Sequence, residues 1–399
     1  MKRLISLLLT ALLLVSLLPA AAFAADETVT INVYNWGQYI GDGTDDSINV
    51  IEEFESAYPN IKVNYMTFDS NESMYTKLKA GGSTFDIIIP SDYMVQKLIE
   101  EDMLEQIDFA NVPNYQYIDD SFKNLAFDPD NLYSVPYTWG CVGVIYNTKY
   151  VDPEDVGSWD LLWNEKYAGK ILMFDNPRDA FAIAEARLGY SINTEDSTLL
   201  TLAANELREQ KPLVQAYVMD QIFDKMERGE AWIAPYYAGD FLLMVEENPD
   251  LDFYFPEEGF NLFVDAICIP KGAEHKEAAE TFINFLISPE ICAQNLEYLG
   301  YSAPSSAAKE LMDPEFAENP VAYPDDEILA NGTAFMSLSQ RGTQEMDSLW
   351  LTVKTADNST TVYLILTVAA IGLVIFLWIF FKVRKRRRKA RRCAKWKNA

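Results

Sequence analysis

The chain holds one histidine in 399 residues, and it falls in the lysine-rich turn KGAEHKEAA as His275. That placement removes a Ser-His-Asp triad and argues against a histidine-based zinc site. Cysteine is almost as scarce. Of four, Cys393 lies in a basic C-terminal tail, leaving Cys141, Cys268 and Cys292, an odd number with no CxxC pair. A bond between Cys268 and Cys292 is possible, but their spacing does not require one, and their apolar surroundings make buried thiols the expected state. No cysteine stands near the N-terminal apolar run, which excludes a lipid-modified cysteine there. Catalytic-type glycine loops and internal repeats are absent as well; Asn35-Trp36-Gly37 is not a phosphate loop.

Positive charge is the most telling shortage. Of 32 Lys+Arg, 11 lie in residues 382–399 and 2 precede the N-terminal apolar run. The 19 that remain face 60 Asp+Glu, a formal charge near −41. Cations or neutral solutes suit such a domain and nucleic acid does not, although most of these acids serve only solubility.

What is present begins with two apolar runs. Residues 4–18 follow Lys2 and Arg3 and precede Pro19 and the tripeptide Ala22, Phe23, Ala24, the pattern of a signal peptide over 1–24. Residues 362–381 carry no charge and are long enough to cross a bilayer, and KVRKRRRKARR follows at once. The positive-inside rule puts that basic tail, 382–399, in the cytoplasm. The expected topology is a single-pass membrane protein whose extracytoplasmic domain hangs on a short stalk, 353–361. A buried core helix is the poorer alternative, because no soluble sequence follows to cover it. The basic run need do no more than set topology and attract anionic lipid.

Between these runs, strand and helix patterns alternate. TVTINVYNW, IKVNYMTF and FDIIIPS read as strands, separated by the helical stretches INVIEEFESAY and SMYTKLKA and followed by YMVQKLIEE. A second series starts near Gly140 with GVIYN, KILMF, the helix DAFAIAEARLGY and the strand AWIAPYY. The chain returns through NLFVDAICIP and an amphipathic helix from Glu274 to about Leu286. Alternation of this kind implies parallel α/β sheets, and about 330 residues suggest two lobes. In open α/β sheets, ligands bind beyond the carboxyl ends of the strands.

The residues at those ends form a pattern. After the first strand come Trp36 and Tyr39; after FDIII, Ser91, Asp92 and Tyr93; after KILMF, Asp175, Asn176 and Asp179; after AWIAPYY, Asp240, preceded by Tyr237. Phe263 and Asp265 lie within the returning strand, and Tyr301 in a later loop. Aromatic faces with carboxylates suit a flexible aliphatic amine, whose ammonium ends need charged acceptors and whose methylenes need apolar walls. Asp179 and Asp240 precede apolar helical runs and could equally be N-caps. A lone Asp265 within FVDAICI is costly unless paired, whether by ligand or by a lysine or arginine across a hinge.

At these residues the chain resembles the spermidine/putrescine-binding proteins of bacterial ABC importers, over residues 28–341. The shared segments are YNWGQYI, SNESMYTKLK, FDIIIPSDYMV, YSVPYTWGCVGVIYN, the DNPRD form of D-x-x-R-[DE], VDAICIP, INFLISPE and LGYSAP. The resemblance implies a two-lobed periplasmic-binding-protein fold, type II-like, with hinge-crossing strands. Lobe 1 would comprise 25–138 and 266–310, and lobe 2 would comprise 139–265 and 311–352. It further implies a non-enzymatic, cofactor-free receptor, expected as a monomer, that captures polyamine and delivers it to an ABC permease. Trp36, Tyr39 and Tyr301 match the family's aromatic walls, Ser91 and Tyr93 its second-loop contacts, and Asp265 its amine-binding carboxylate. Tyr237 to Asp240 resemble a W-A-G-D pattern of putrescine-type members, and Asp179 stands where spermidine-type members have Glu. Asn176 replaces Asp, Phe263 replaces Trp and Gly37 replaces a hydroxyl residue, which leaves the choice between putrescine and spermidine open.

Two other readings compete. One is a receptor for another solute, such as an amino acid, sugar or aminophosphonate; an anionic head group would need arginine at the strand ends, where only Arg178 offers itself. An extracellular glycoside hydrolase would use Asp175 and Asp179 as a carboxylate pair.

Overall fold

The structure, a computed structural model, describes residues 28–44, 47–81, 84–356 and 382. The expected signal peptide, the apolar run 362–381 and residues 383–399 of the basic tail lie outside them. No helix among the described residues is long and apolar enough to cross a membrane.

β1 (Val29–Trp36) buries Ile31, Val33 and Tyr34, and pairs in parallel with β2 (Ile61–Phe68) and β3 (Ile87–Ile88). Helices α1 (Val50–Ala57), α2 (Asn71–Ala80) and α3 (Asp92–Glu100) connect and follow these strands. Asn49 caps α1 through its side chain, and Ser70 forms a reciprocal capping box with Ser73 at α2. The run FDIIIPS contributes only two ladder residues before Pro90, which has no backbone donor, ends the strand.

Two long strands join the halves of the molecule. β4 (Ser134–Asn147) pairs along its first part with β9 (Phe260–Cys268), antiparallel, from Ser134 opposite Cys268 to Cys141 opposite Leu262. From Val142 onward β4 turns to β7 (Ile233–Tyr237) and, from Val144, to β8 (Leu251–Tyr254). The β4–β9 register shifts between Pro136 and Thr138, as expected where a proline interrupts a ladder.

The second half repeats the parallel pattern. β5 (Ile171–Phe174) lies between β6 (Val214–Val218) and β7, with α4 (Pro177–Arg187), α5 (Ser197–Gln210) and α6 (Ala238–Glu247) as its longer helices. The chain then builds α7 (Lys276–Leu286) and α8 (Pro289–Leu299) on the first half. β10 (Gly332–Thr333) pairs with β9, and α9 (Gln340–Thr355) packs against α4 and α5. The strand path is β2-β1-β3-β9-β4-β7-β5-β6, two α/β lobes sharing a pair of crossing strands. Phe54, Ile87 and Phe282 centre one core, and Trp159, Phe174 and Phe181 the other. Cys141, Cys268 and Cys292 are buried free thiols, and burial pushes Cys141 and Cys292 up to about 12.

Candidate ligand-binding cleft

The carboxyl ends of β1, β3, β5, β6 and β7 converge on a cleft beside the crossing strands, with about 840 Å³ of space including its open mouth. Trp36, Tyr39, Ser91, Tyr93, Asn176, Asp179, Tyr237, Asp240, Phe263, Asp265 and Tyr301 all line it. Tyr39 stands edge-on to Tyr301 at 5.1 Å, and Phe263 meets Tyr237 at 5.5 Å and Tyr301 at 6.3 Å. Trp36 leans on Phe68 at 4.7 Å. These close approaches depend on two glycines. A Cβ at Gly140 would sit 2.8 Å from the Phe263 ring, and one at Gly239 2.9 Å from the Tyr301 ring.

Three carboxylates of the cleft are each held by a tyrosine hydroxyl. Tyr39 donates to Asp265 Oδ2 at 2.6 Å, Tyr237 to Asp179 Oδ2 at 3.2 Å and Tyr301 to Asp240 Oδ2 at 3.1 Å. With its own proton committed to Asp265, Tyr39 accepts from the Thr138 hydroxyl at 2.6 Å. Behind the wall the motif recurs, Tyr93 donating to Glu72 at 2.9 Å. No lysine or arginine forms an ion pair with any of these four acids among the described residues. Asp265 Oδ1 is buried without a hydrogen-bond partner among the described residues.

Burial without an ion pair is reflected in the acidities. Desolvation pushes Asp179 and Asp240 up to about 7 and Asp265 to about 6, against the pull of their hydroxyl donors. Burial raises Asp92, behind the cleft, to about 8. At the mouth, burial and the facing charge of Asp69 both raise Asp220. The tyrosines are themselves raised well above their ordinary value by burial, so each remains a donor.

The N-cap reading of the two helix-start acids gives way to a different arrangement. Asn176 caps α4, accepting from the Arg178 backbone, and Pro177 takes the first helical position. Asp179 and Asp240 are instead third residues of their helices and accept from Tyr237 and Tyr301. Asp265 has neither lysine nor arginine across the hinge; its partner is Tyr39. Arg178 does not line the cleft; it sits behind two lining rings, 4.3 Å from Phe335 and 5.9 Å from Tyr93, and donates to Asn193 Oδ1 at 2.6 Å and the Met336 carbonyl at 3.2 Å. Asp175 pairs with Lys354 outside the cleft, so Asp175 and Asp179 do not face one space as a hydrolase pair.

Further lining residues escaped the sequence reading. Asn71 donates to Ser91 Oγ and to the Tyr93 hydroxyl, both at 3.1 Å; its place in SNESMYTKLK was the available signal. Met219, Asp220 and Phe223 follow β6, and Phe335 follows β10. Neither short strand stands out in the sequence.

Two α/β lobes joined by crossing strands, with a carboxylate-rich aromatic cleft between them, define a class, the two-lobed solute receptors. Residues 49–324 match the family described as bacterial extracellular solute-binding protein, and the chain belongs to that family. The spermidine/putrescine-binding periplasmic protein of Escherichia coli K12 is 36% identical over 313 residues, covering 78% of this chain and 88% of that protein. The putrescine-binding periplasmic protein SpuD of Pseudomonas aeruginosa is 29% identical, covering 87% of this chain and 97% of its own length. Among solved structures, the spermidine/putrescine ABC transporter substrate-binding protein PotD of Streptococcus pneumoniae, in complex with calcium and HEPES, aligns with a TM-score of 0.69. It is 36% identical and covers 82% of this chain and 98% of that one.

Proposed function

We propose that this protein is the polyamine receptor of an ABC importer, taking putrescine, spermidine or both into the cleft and presenting them to the permease. The observation that carries this reading is that the cleft carboxylates Asp179, Asp240 and Asp265 are each held by a tyrosine hydroxyl and, among the described residues, none forms an ion pair with a lysine or arginine. An aliphatic amine supplies what is missing. One ammonium would meet Asp265 and its unpartnered Oδ1; another would meet Asp179 or Asp240, each gaining charge-assisted hydrogen bonds. Between them the methylene chain would lie against Trp36, Tyr237, Phe263 and Tyr301. Cation–π contact would add about 0.5–2 kcal/mol for each ammonium. Ser91, Tyr93 and Asn176 would complete the polar end, and Tyr39 would orient Asp265. The names of the most similar relatives point the same way.

Closure follows from the position of the acids. Asp179 and Asp240 belong to the second half, while Asp265 sits on a crossing strand against Tyr39 of the first. A ligand bound to both sides favours the closed state by its differential affinity. The lobe boundaries expected from the sequence, 25–138 with 266–310 and 139–265 with 311–352, put the hinge in β4 and β9. Capture and release need no catalysis.

Residues 362–381 and the basic run behind them favour a membrane-anchored form, with a cytoplasmic tail and the receptor outside. Such a tether would keep the receptor near its permease at raised effective concentration.

Asp265→Asn tests the site. Binding of putrescine and spermidine should weaken at least a hundredfold, while the thermal unfolding of the free protein stays close to wild type, because no buried ion pair is broken. Unchanged affinity would remove Asp265 from the site.

A further inference from the structure

We propose that Asn261 sets the length of amine that the cleft accepts, taking the far ammonium of a triamine whose near ammonium meets Asp265. The inference deepens the polyamine reading and rests on it.

Side chains alternate across a strand, so Asn261, Phe263 and Asp265 of β9 stand on one face. Nothing interrupts that alternation. The β4–β9 register runs unbroken from Leu262 to Asp265, and Thr333 of β10 lies opposite Asn261. All three residues line the cleft, with Asn261 only 7% exposed and Asp265 4%. Among the described residues, two buried acceptors of the cleft lining lack a hydrogen-bond partner, Asn261 Oδ1 and Asp265 Oδ1. One strand face therefore carries an unanswered acceptor at each end and an aromatic ring between them. Buried acceptors are ordinarily satisfied, and a linear amine laid along this face would satisfy both while its methylenes cover Phe263.

Distance decides which amine can do so. Four residues of strand span about 13 Å. With ordinary C–N and C–C bond lengths, the terminal nitrogens of extended putrescine lie about 6 Å apart and those of spermidine about 11 Å. A four-carbon diamine reaches one acceptor; spermidine, with a hydrogen bond at either end, reaches both. Asn261 is also placed to share an ammonium with Asp179. The two residues belong both to the cleft and to an adjoining recess of about 220 Å³, whose other walls include the apolar side chains of Val142, Ile183 and Phe260. A primary ammonium carries three N–H donors, and Asp179 Oδ2 already accepts from Tyr237 at 3.2 Å. The amide oxygen adds an acceptor without adding negative charge to a cleft that already holds three buried acids. Its apolar backing strengthens such a bond, and the broad terminal torsion of asparagine lets the oxygen turn toward an entering donor.

The test is calorimetric titration of the full chain, in detergent, with putrescine, spermidine and 1,8-diaminooctane, which matches spermidine in length with two nitrogens. Asn261→Leu, close in volume but without an acceptor, should weaken spermidine and 1,8-diaminooctane at least about tenfold and putrescine less than about threefold. Asn261→Ala repeats the measurement should leucine strain the strand. Asn261→Asp, which keeps an acceptor, should retain the preference for the longer amines. Equal weakening of all three amines by the leucine and alanine variants, or no weakening of any, would make Asn261 structural and overturn the assignment. A wild-type chain that binds putrescine alone would overturn it too, while leaving the polyamine reading intact. A wild-type chain that binds none of the three would overturn that reading and the assignment with it.

Discussion

Asp179, Asp240 and Asp265 are carboxyl groups whose folded values, about 7, 7 and 6, lie above the ordinary value of 3.8. The sign of the linkage follows. A carboxyl raised on folding binds its proton more tightly in the native state, so ionising it costs stability. That cost is absent below about pH 4, grows as pH rises and is complete above about pH 7. A bound polyamine needs these groups ionised, so uptake by the empty receptor at pH 6.5 should release protons. Calorimetric heats should then vary with the ionisation enthalpy of the buffer, and affinity should rise between pH 5 and pH 8; a flat profile would contradict the assignment. The aromatic wall is equally exposed to test. A methyl group at Gly239 would collide with the Tyr301 ring and pull its hydroxyl from Asp240. Gly239→Ala should weaken binding about tenfold, at a stability cost of roughly 1–3 kcal/mol for overpacking. Titration and thermal melts of the same sample separate the two effects.

At the scale of elements, the parts legible in the sequence were those with strong local signals. β1, β2, β5, β7 and β9 and their helices lie where alternation and apolar runs put them, and the residues just after the strands line one cleft. The helix starts were less legible. Nothing in DNPRDA says which polar residue caps, and Pro177 at the first turn shifts that role to Asn176 and frees Asp179. β6 was invisible because VQAYV is mixed in burial and lies at the sheet edge. Its trailing residues Met219, Asp220 and Phe223 were missed with it. Phe335 belongs to a segment with only a two-residue strand, held by Asn193 and Arg178 through contacts far apart in sequence. α9 runs through Thr355 with Val353 buried, farther than the expected stalk boundary at 353. Its anchor is Trp350, edge-on to Tyr217 at 5.4 Å. Trp350→Ala should cost about 3–5 kcal/mol, read from urea unfolding midpoints. Polyamine affinity at low denaturant should be unchanged, because neither ring lines the cleft.

For the whole molecule, scarcity of positive charge and the geometry of the cleft describe one design. A strongly acidic exterior raises the local concentration of cations, and a cleft without its own cation accepts them. Under the proposed function, the two crossing strands would let the halves approach once the charge is satisfied. Calorimetric titration of residues 25–355 with putrescine, cadaverine, spermidine and spermine at moderate salt tests this most directly. Tight one-to-one binding of at least one amine is the expected result, and the ranking would show how Asn176 and Asp240 divide diamines from longer chains. Absence of heat and of thermal stabilisation with all four would contradict the polyamine reading and assign the cleft to another solute.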